Sequence, residues 1–162
     1  MNIFEYLCDS SYTIISVLSL LIILENIERG DLFDHVEKNR SFMIPEYYIR
    51  MFLYIISYGC MGHGMYLIST GNSDSANVIF THLLQLSLGL SWFIVFYNMN
   101  MLGGSMIISL VYLLLCMYNF YVWFSIGSYI SIFNLPCITM CIINILITFK
   151  AIQTYDINKK HE

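Results

Sequence analysis

Long apolar stretches alternate with short polar segments along the chain. The apolar stretches lie near residues 11–27, 51–70, 78–97, 105–124 and 130–149. Most contain about 20 residues, the length that an α-helix needs to cross a hydrocarbon core roughly 30 Å thick. The pattern predicts an all-α integral membrane protein. Its single domain, residues 1–150, is expected to be a bundle of five transmembrane helices, followed by a polar tail over residues 151–162.

The polar segments between the predicted spans have the composition of turns. Residues 71–74, 98–104 and 125–128 are rich in glycine, serine and asparagine, which favour chain reversal. Pro136 lies inside the fifth predicted span, where its ring removes one backbone hydrogen bond. We therefore expect a kink in that helix.

The segment between the first two spans, residues 28–50, is the longest hydrophilic part of the chain. Acidic and basic side chains alternate along it, but it also holds large apolar ones such as Phe33, Phe42 and Tyr47. Apolar side chains of this size need a surface to pack against. The segment is therefore predicted to fold over one end of the bundle.

Charge is scarce and unevenly placed. Charged residues make up 11% of the chain, against roughly 25% in soluble domains, and residues 75–149 contain no Asp, Glu, Lys or Arg. With five spans, all seven basic residues fall on one side of the membrane, which the positive-inside rule assigns to the cytosol together with the C-terminus. These residues are Arg29, Lys38, Arg40, Arg50, Lys150, Lys159 and Lys160. No basic run occurs, so nucleic-acid binding is not expected.

The predicted spans contain little chemistry of their own. They hold no Ser/His/Asp set, phosphate-binding loop or paired carboxylates, so we expect no enzymatic activity and no metal site. His63 and His82 fall within spans, where an ionisable group suggests function and a neutral imidazole can ligate haem iron. Because His63 lies in a glycine-rich run typical of close helix packing, the preferred interpretation of both histidines is hydrogen-bonding packing.

Four motifs, in order, resemble those of the translocator protein family, also called TspO/MBR or the peripheral benzodiazepine receptor family. Residues 61–68 (MGHGMYLI) resemble its MGxGxYLV signature, and residues 84–97 resemble its QLxLNxxW…FF third helix. Residues 134–137 (NLPC) resemble the LLPY start of its fifth helix, and residues 40–48 are similar to its KPxWxPPxW segment. The chain is therefore identified as a divergent member. The resemblance implies a five-helix bundle with a pocket for tetrapyrroles, sterols and aromatic ligands beneath the first long loop.

The resemblance and the residue types together suggest a binding site. Trp92 offers a flat apolar face and one N–H donor, and Gln85, seven residues earlier, shares its helix face. An alternative interpretation is that Gln85 forms a hydrogen bond between helices. In that interpretation Tyr54, Met140 and Asn144 belong to the ordinary packing of the bundle. The predicted ligand-binding residues are Tyr54, Gln85, Gly89, Trp92, Phe96, Met140 and Asn144, and the predicted loop lid is Phe42, Pro45 and Tyr47. Tyr54 and Met140 replace two family tryptophans, which argues against the porphyrin photodegradation attributed to them in some bacterial members.

The functional hypothesis is a membrane protein that takes a flat hydrophobic ligand, a tetrapyrrole such as haem or a sterol, into its bundle for transport, sequestration or stress signalling. No cofactor is required. The alternative is a membrane interaction module that has lost the ligand and acts on a host or mitochondrial partner in apoptosis or stress. The chain is expected to be surrounded by membrane lipid and to form a homodimer. The family resemblance implies the outer mitochondrial membrane or another intracellular membrane.

Overall fold

The computed structural model describes residues 3–25, 31–38, 44–70 and 75–158, and this part of the chain is helical. The helices are α1 (Ile3–Glu25), α2 (Asp31–Lys38), α3 (Tyr47–Thr70), α4 (Ser75–Phe93), α5 (Leu102–Ile126), α6 (Ser128–Ser131) and α7 (Leu135–Asn158). A π-helical turn, Ile94–Asn98, continues α4, and a 3₁₀ turn, Ile132–Asn134, joins α6 to α7.

Four helical segments within the described residues are long and apolar enough to span a membrane. They are Tyr47–Thr70, Ala76–Asn98, Leu102–Ile126 and Ser128–Thr154. A shorter apolar helix, Ser11–Glu25, lies before them. The prediction of an integral membrane protein of helices is thereby confirmed, whereas the count of five spans stays a prediction.

The two faces of α5 show which side meets lipid. Small and polar side chains recur on its buried face at helical spacing, and large apolar side chains recur on its exposed face. The buried set is Leu102, Ser105, Ser109, Tyr112, Cys116, Asn119 and Trp123, and the exposed set includes Ile107, Leu110, Leu114, Tyr118 and Tyr121. A soluble helix has the reverse arrangement, because it shows its polar face to water. The α5 pattern is that of a helix in lipid, where small and polar residues mediate helix contact.

Helices α1 and α3 approach each other closely at Gly62. A Cβ atom at this position would lie 2.5 Å from the Cα atom of Thr13 on α1. No side chain fits at that distance, so the absence of one at Gly62 lets the two backbones pack directly against each other.

The π-helical turn at the end of α4 changes which residues point inward. The wider turn closes with the N–H of Met99 donating to the carbonyl of Ile94 at 3.0 Å. Within it the consecutive residues Phe96 and Tyr97 are both buried. Asn100 then takes a left-handed conformation (φ 53°), which asparagine tolerates better than most residues, and the chain turns into α5.

The kink expected at Pro136 stays a prediction. The helical segment Ser128–Thr154 tightens into a 3₁₀ turn, Ile132–Asn134, just before this proline, and α7 begins at Leu135. Pro136 therefore lies in the first turn of α7, where a missing backbone N–H costs no hydrogen bond. At its other end α7 continues to Asn158 with Ala151 buried, so the helix extends into the predicted polar tail.

The described part of the first loop folds onto the end of the bundle, as predicted. Val36 of α2 and Ile44 line a groove together with Ile147, Ala151 and the neighbouring Lys150 of α7. The loop and the C-terminal part of α7 thus lie at the same end. Of the seven basic residues, Arg29, Arg40, Lys159 and Lys160 lie outside the described residues, as do the turn residues 71–74.

Candidate functional site

An aromatic cluster fills the interior of the bundle where α4 passes into its π-helical turn. The rings of Trp92 and Phe96 are stacked, with centroids 4.9 Å apart and planes 14° apart. Phe93 and Tyr97 meet the Trp92 ring edge-on at 5.2 Å and 5.9 Å. Tyr54 of α3 meets Phe93 edge-on at 4.8 Å. Stacked and edge-on arrangements at these distances are the favoured geometries of aromatic pairs, so the cluster is well packed.

Two hydrogen bonds join this aromatic cluster to α7. The hydroxyl group of Tyr54 donates to Oδ1 of Asn144, and Nε1 of Trp92 donates to Oγ1 of Thr148 at 3.3 Å. Oγ1 of Thr148 in turn donates to the carbonyl of Asn144 at 2.8 Å. Met140 is buried one turn before Asn144 on the same helix face. The wall combines flat apolar surfaces with a few polar groups, the composition typical of small-molecule sites.

A buried arginine lies at the rim of the cluster, at the start of α3. Nη2 of Arg50 pairs with Oε1 of Glu37 on α2, and Nη1 donates to the carbonyl of Pro45 at 3.3 Å. Its guanidinium carbon also lies 5.9 Å from the centre of the Tyr47 ring, within the range of a cation–π contact. This ion pair ties α2 to the bundle end.

Aromatic contacts complete the connection between α2 and the cluster. Phe33 of α2 packs edge-on against Tyr47 at 5.0 Å and reaches Tyr97 at 5.9 Å. Of the three predicted lid residues, Pro45 and Tyr47 therefore lie at this end of the bundle, in contact with Arg50. Phe42 lies outside the described residues.

Gln85 belongs to a separate polar network, between α4, α5 and the 3₁₀ turn. Nε2 of Gln85 donates to Oδ1 of Asn134 at 2.9 Å, and its Oε1 accepts from Nδ2 of Asn119. Nδ2 of Asn134 donates to the carbonyl of Cys116 at 2.7 Å. Both polar atoms of the Gln85 amide are thus engaged by neighbouring helices, in line with the alternative interpretation of Gln85 as an interhelical hydrogen bond.

Gly89 lies between two tyrosines. A Cβ atom there would lie 2.4 Å from the hydroxyl oxygen of Tyr58 and 3.0 Å from that of Tyr112. The tyrosine side chains take the space that a larger residue would need. Gly89 therefore contributes room for these hydroxyl groups.

The predicted ligand-binding residues thus fall into two groups. Tyr54, Trp92 and Phe96 belong to the aromatic cluster, Asn144 is hydrogen-bonded to it and Met140 is buried one turn before Asn144. Gln85 and Gly89 instead contact residues of α5. Gln85 is seven residues from Trp92, about 10 Å along the helix.

Neither histidine lies in the aromatic cluster. His63 is exposed on the bundle surface between the rings of Tyr66 and Phe133, at 6.0 Å and 5.0 Å. His82 is buried, with its ring edge-on to Tyr12 at 6.3 Å, and its Nδ1 atom has no partner within the part of the chain that the structure describes. Both side chains pack against aromatic rings.

Sequence reasoning missed several residues of the site and its surroundings. Arg50 counted there only as a basic residue at the membrane surface, yet its side chain is buried. The hydrogen bonds of Asn119 and Asn134 to Gln85 were not predicted, because single asparagines in apolar stretches have no local partner. The sequence did contain one indication of Asn119: small and polar residues recur at helical spacing from Ser105 to Trp123, and Asn119 belongs to that series.

Comparison with known proteins bears on the fold and family. Residues 12–153 match the model of the TspO/MBR family, which confirms the resemblance seen in the motifs. No curated protein matches the chain.

Proposed function

Because the chain belongs to the TspO/MBR family, we propose that it binds a flat hydrophobic ligand, a tetrapyrrole or a sterol, in the aromatic site between α3, α4 and α7. Transport, sequestration or stress signalling would follow from capture of that ligand within the membrane. Helix α2 covers the site and opens to admit the ligand.

The stacked pair of Trp92 and Phe96 carries this proposal. Their rings lie nearly parallel, 14° apart, and both are fully buried in the interior of the bundle. A flat ligand can replace one ring-on-ring contact by another of the same kind, at little cost in dispersion energy. Tyr54 and Asn144 then offer one hydroxyl and one amide to polar groups on the ligand edge.

The two tryptophans of the chain allow a direct test. Trp123→Phe leaves Trp92 as the sole indole, and Trp92→Phe leaves Trp123, which packs near Gly64 and Phe133 away from the site. Protoporphyrin IX is titrated into each purified variant in lipid nanodiscs. We expect strong, saturable quenching of Trp92 and clearly weaker quenching of Trp123, because energy transfer falls steeply with distance.

The control variants also separate binding from partition into the lipid. Porphyrin dissolved in the nanodisc quenches both indoles to a similar degree and without saturation. That result, or no saturable quenching of Trp92 below about 100 μM, would refute the proposed binding site.

One observation favours the alternative, a membrane interaction module without a ligand. The polar groups of the aromatic site bind one another, since Tyr54 pairs with Asn144 and Trp92 with Thr148, so the site is complete by itself. The two functions differ in a cellular assay. If only the loop matters, Trp92→Ala keeps the phenotype and replacement of residues 28–50 abolishes it, whereas ligand binding requires Trp92.

We further propose that α1 forms a fifth span, with the C-terminus in the cytosol of an intracellular membrane. Helix α1 has 23 residues, about 34 Å of helix, and packs against the spanning helix α3 at Gly62. Single cysteines introduced before α1, near Arg40 and near Lys159 into a cysteine-free variant test this topology. An impermeant maleimide should label the latter two from the cytosolic side and the first from the opposite side. Labelling of the first on the same side as the one near Arg40 would contradict a fifth span.

A further inference from the structure

Arg50 is a charged side chain in an unusual place. It is 1% exposed, lies in the first turn of the span Tyr47–Thr70, and faces the interior of the bundle. A cation is disfavoured in the first turn of a helix, because the backbone N–H groups there already form the positive end of the helix dipole. Burial at the edge of a membrane adds to that cost. A buried cation in this position needs negatively charged partners to offset the cost.

The acceptors around Arg50 do not use all of its N–H donors. Glu37 binds Nη2, the Pro45 carbonyl binds Nη1, and the buried Nε atom has no partner among the described residues. A guanidinium group binds a carboxylate best through two parallel N–H···O bonds. At Arg50 the Nε–H group is available for such a bond. Arg50 therefore keeps one donor for a further acceptor.

The open donor lies beside the aromatic site. Tyr54 is four residues after Arg50, one turn along the same buried face of α3. Phe33, on the same helix as the Arg50 partner Glu37, reaches the Tyr97 ring of the cluster at 5.9 Å. Arg50 thus lies between α2 above and the rings of the cluster below.

We propose that Arg50 is the anchor for a carboxylate group on the ligand, so that the site selects flat aromatic acids, such as tetrapyrroles with carboxylate side chains, over neutral sterols. This inference rests on the proposed ligand-binding function. The ring of the ligand stacks in the aromatic cluster, and its carboxylate reaches Nε of Arg50 at the rim.

Glu37 makes this exchange feasible. Its side chain is 26% exposed, so it can turn towards water when a ligand carboxylate replaces it at Arg50. The buried cation keeps a carboxylate partner throughout, which avoids the large penalty of an unpaired buried charge. Release of Glu37 also removes the ion pair that ties α2 to α3, and so links ligand entry to opening of the cover.

Two ligands with the same ring test the anchor. Protoporphyrin IX carries free carboxylates, and its dimethyl ester has the same flat ring without charge. Both are titrated into the nanodisc-embedded full chain, with Trp92 fluorescence as the readout. The acid is expected to bind at least about tenfold more tightly than the ester, as a charge-assisted hydrogen bond implies.

Substitutions of the two partners then distinguish an anchor from a structural clamp. Arg50→Gln should lower the ratio of acid affinity to ester affinity about 10- to 100-fold, because only the acid carries the carboxylate that Arg50 binds. Glu37→Gln removes the competing carboxylate and should strengthen binding of the acid. If the ion pair only holds α2 in place, the two substitutions break the same contact and shift both ligands in the same direction.

The outcomes also separate this inference from the function on which it rests. Equal affinity of acid and ester for the unmodified protein overturns the anchor and leaves the aromatic site intact. If neither ligand binds saturably, the proposed function itself is overturned. Saturable ester binding to Arg50→Gln serves as the folding control, and loss of ester binding by that variant assigns Arg50 a structural role and overturns the anchor.

Discussion

Substitution of Gly62 by alanine should separate α1 from α3. The added methyl group would lie 2.5 Å from Cα and 2.8 Å from N of Thr13, and 2.7 Å from the carbonyl oxygen of Tyr12. All three atoms belong to backbone, which has no rotamer to move into. Because ordinary van der Waals contact begins near 3.4 Å, α1 must withdraw by roughly 1 Å.

The size of the effect follows from two opposing contributions. Overpacking of this kind costs about 1–3 kcal/mol, and backbone contacts put Gly62→Ala near the upper limit. Alanine also favours the helix over glycine by about 1 kcal/mol. Gly59→Ala on the same helix isolates that second contribution, since the nearest atom of another helix to its Cβ position would be Cγ2 of Val17 at 3.9 Å.

The free energy of unfolding of both variants can be measured by titration with sodium dodecyl sulfate, followed by circular dichroism. We expect Gly62→Ala to be less stable than Gly59→Ala by about 2–3 kcal/mol. Equal stability of the two variants would show that α1 does not pack against α3 at this point. It would also remove the packing argument for α1 as a fifth span.

Three further predictions concern the interior of the bundle. Gln85→Leu leaves two buried asparagine groups without their partner and should cost about 1–2 kcal/mol in the same titration, whereas an unchanged midpoint would contradict the network. Tyr54→Phe should lower the free energy of unfolding by about 1 kcal/mol, and its effect should not add to that of Asn144→Leu in a double-mutant cycle. Full additivity of the two effects would argue against their hydrogen bond. Iodine, a membrane-permeant oxidant, should join Cys116 to Cys141, whose Sγ atoms lie 3.6 Å apart, with the loss of two hydrogens seen in the intact mass; an unchanged mass would contradict that proximity.

The helical architecture was predictable because its causes are local. The length of each apolar stretch and the absence of charge over residues 75–149 depend only on neighbours in the chain. The 3₁₀ turn before Pro136 was harder to anticipate. An internal helix position disfavours proline and the first turn accepts it, but sequence alone did not indicate that a 3₁₀ turn, Ile132–Asn134, would precede the proline.

The candidate site was predictable only in part. Trp92 and Phe96 were identified by residue type and family resemblance, and they do stack. Gln85 was grouped with Trp92 because helical spacing puts both on one face. Spacing along a helix, however, does not state which neighbouring helix each residue meets, and Gln85 meets α5 and the 3₁₀ turn.

The sequence by itself determined that this chain is a helical membrane protein of the TspO/MBR family, because hydrophobic length and motif order are written along one dimension. Only the tertiary structure decided which polar groups meet. Arg50 and Glu37 are 13 residues apart, and Tyr54 and Asn144 are 90 apart. In an apolar interior each such group must find a partner wherever the fold brings one, and that choice depends on the packing of all the helices together.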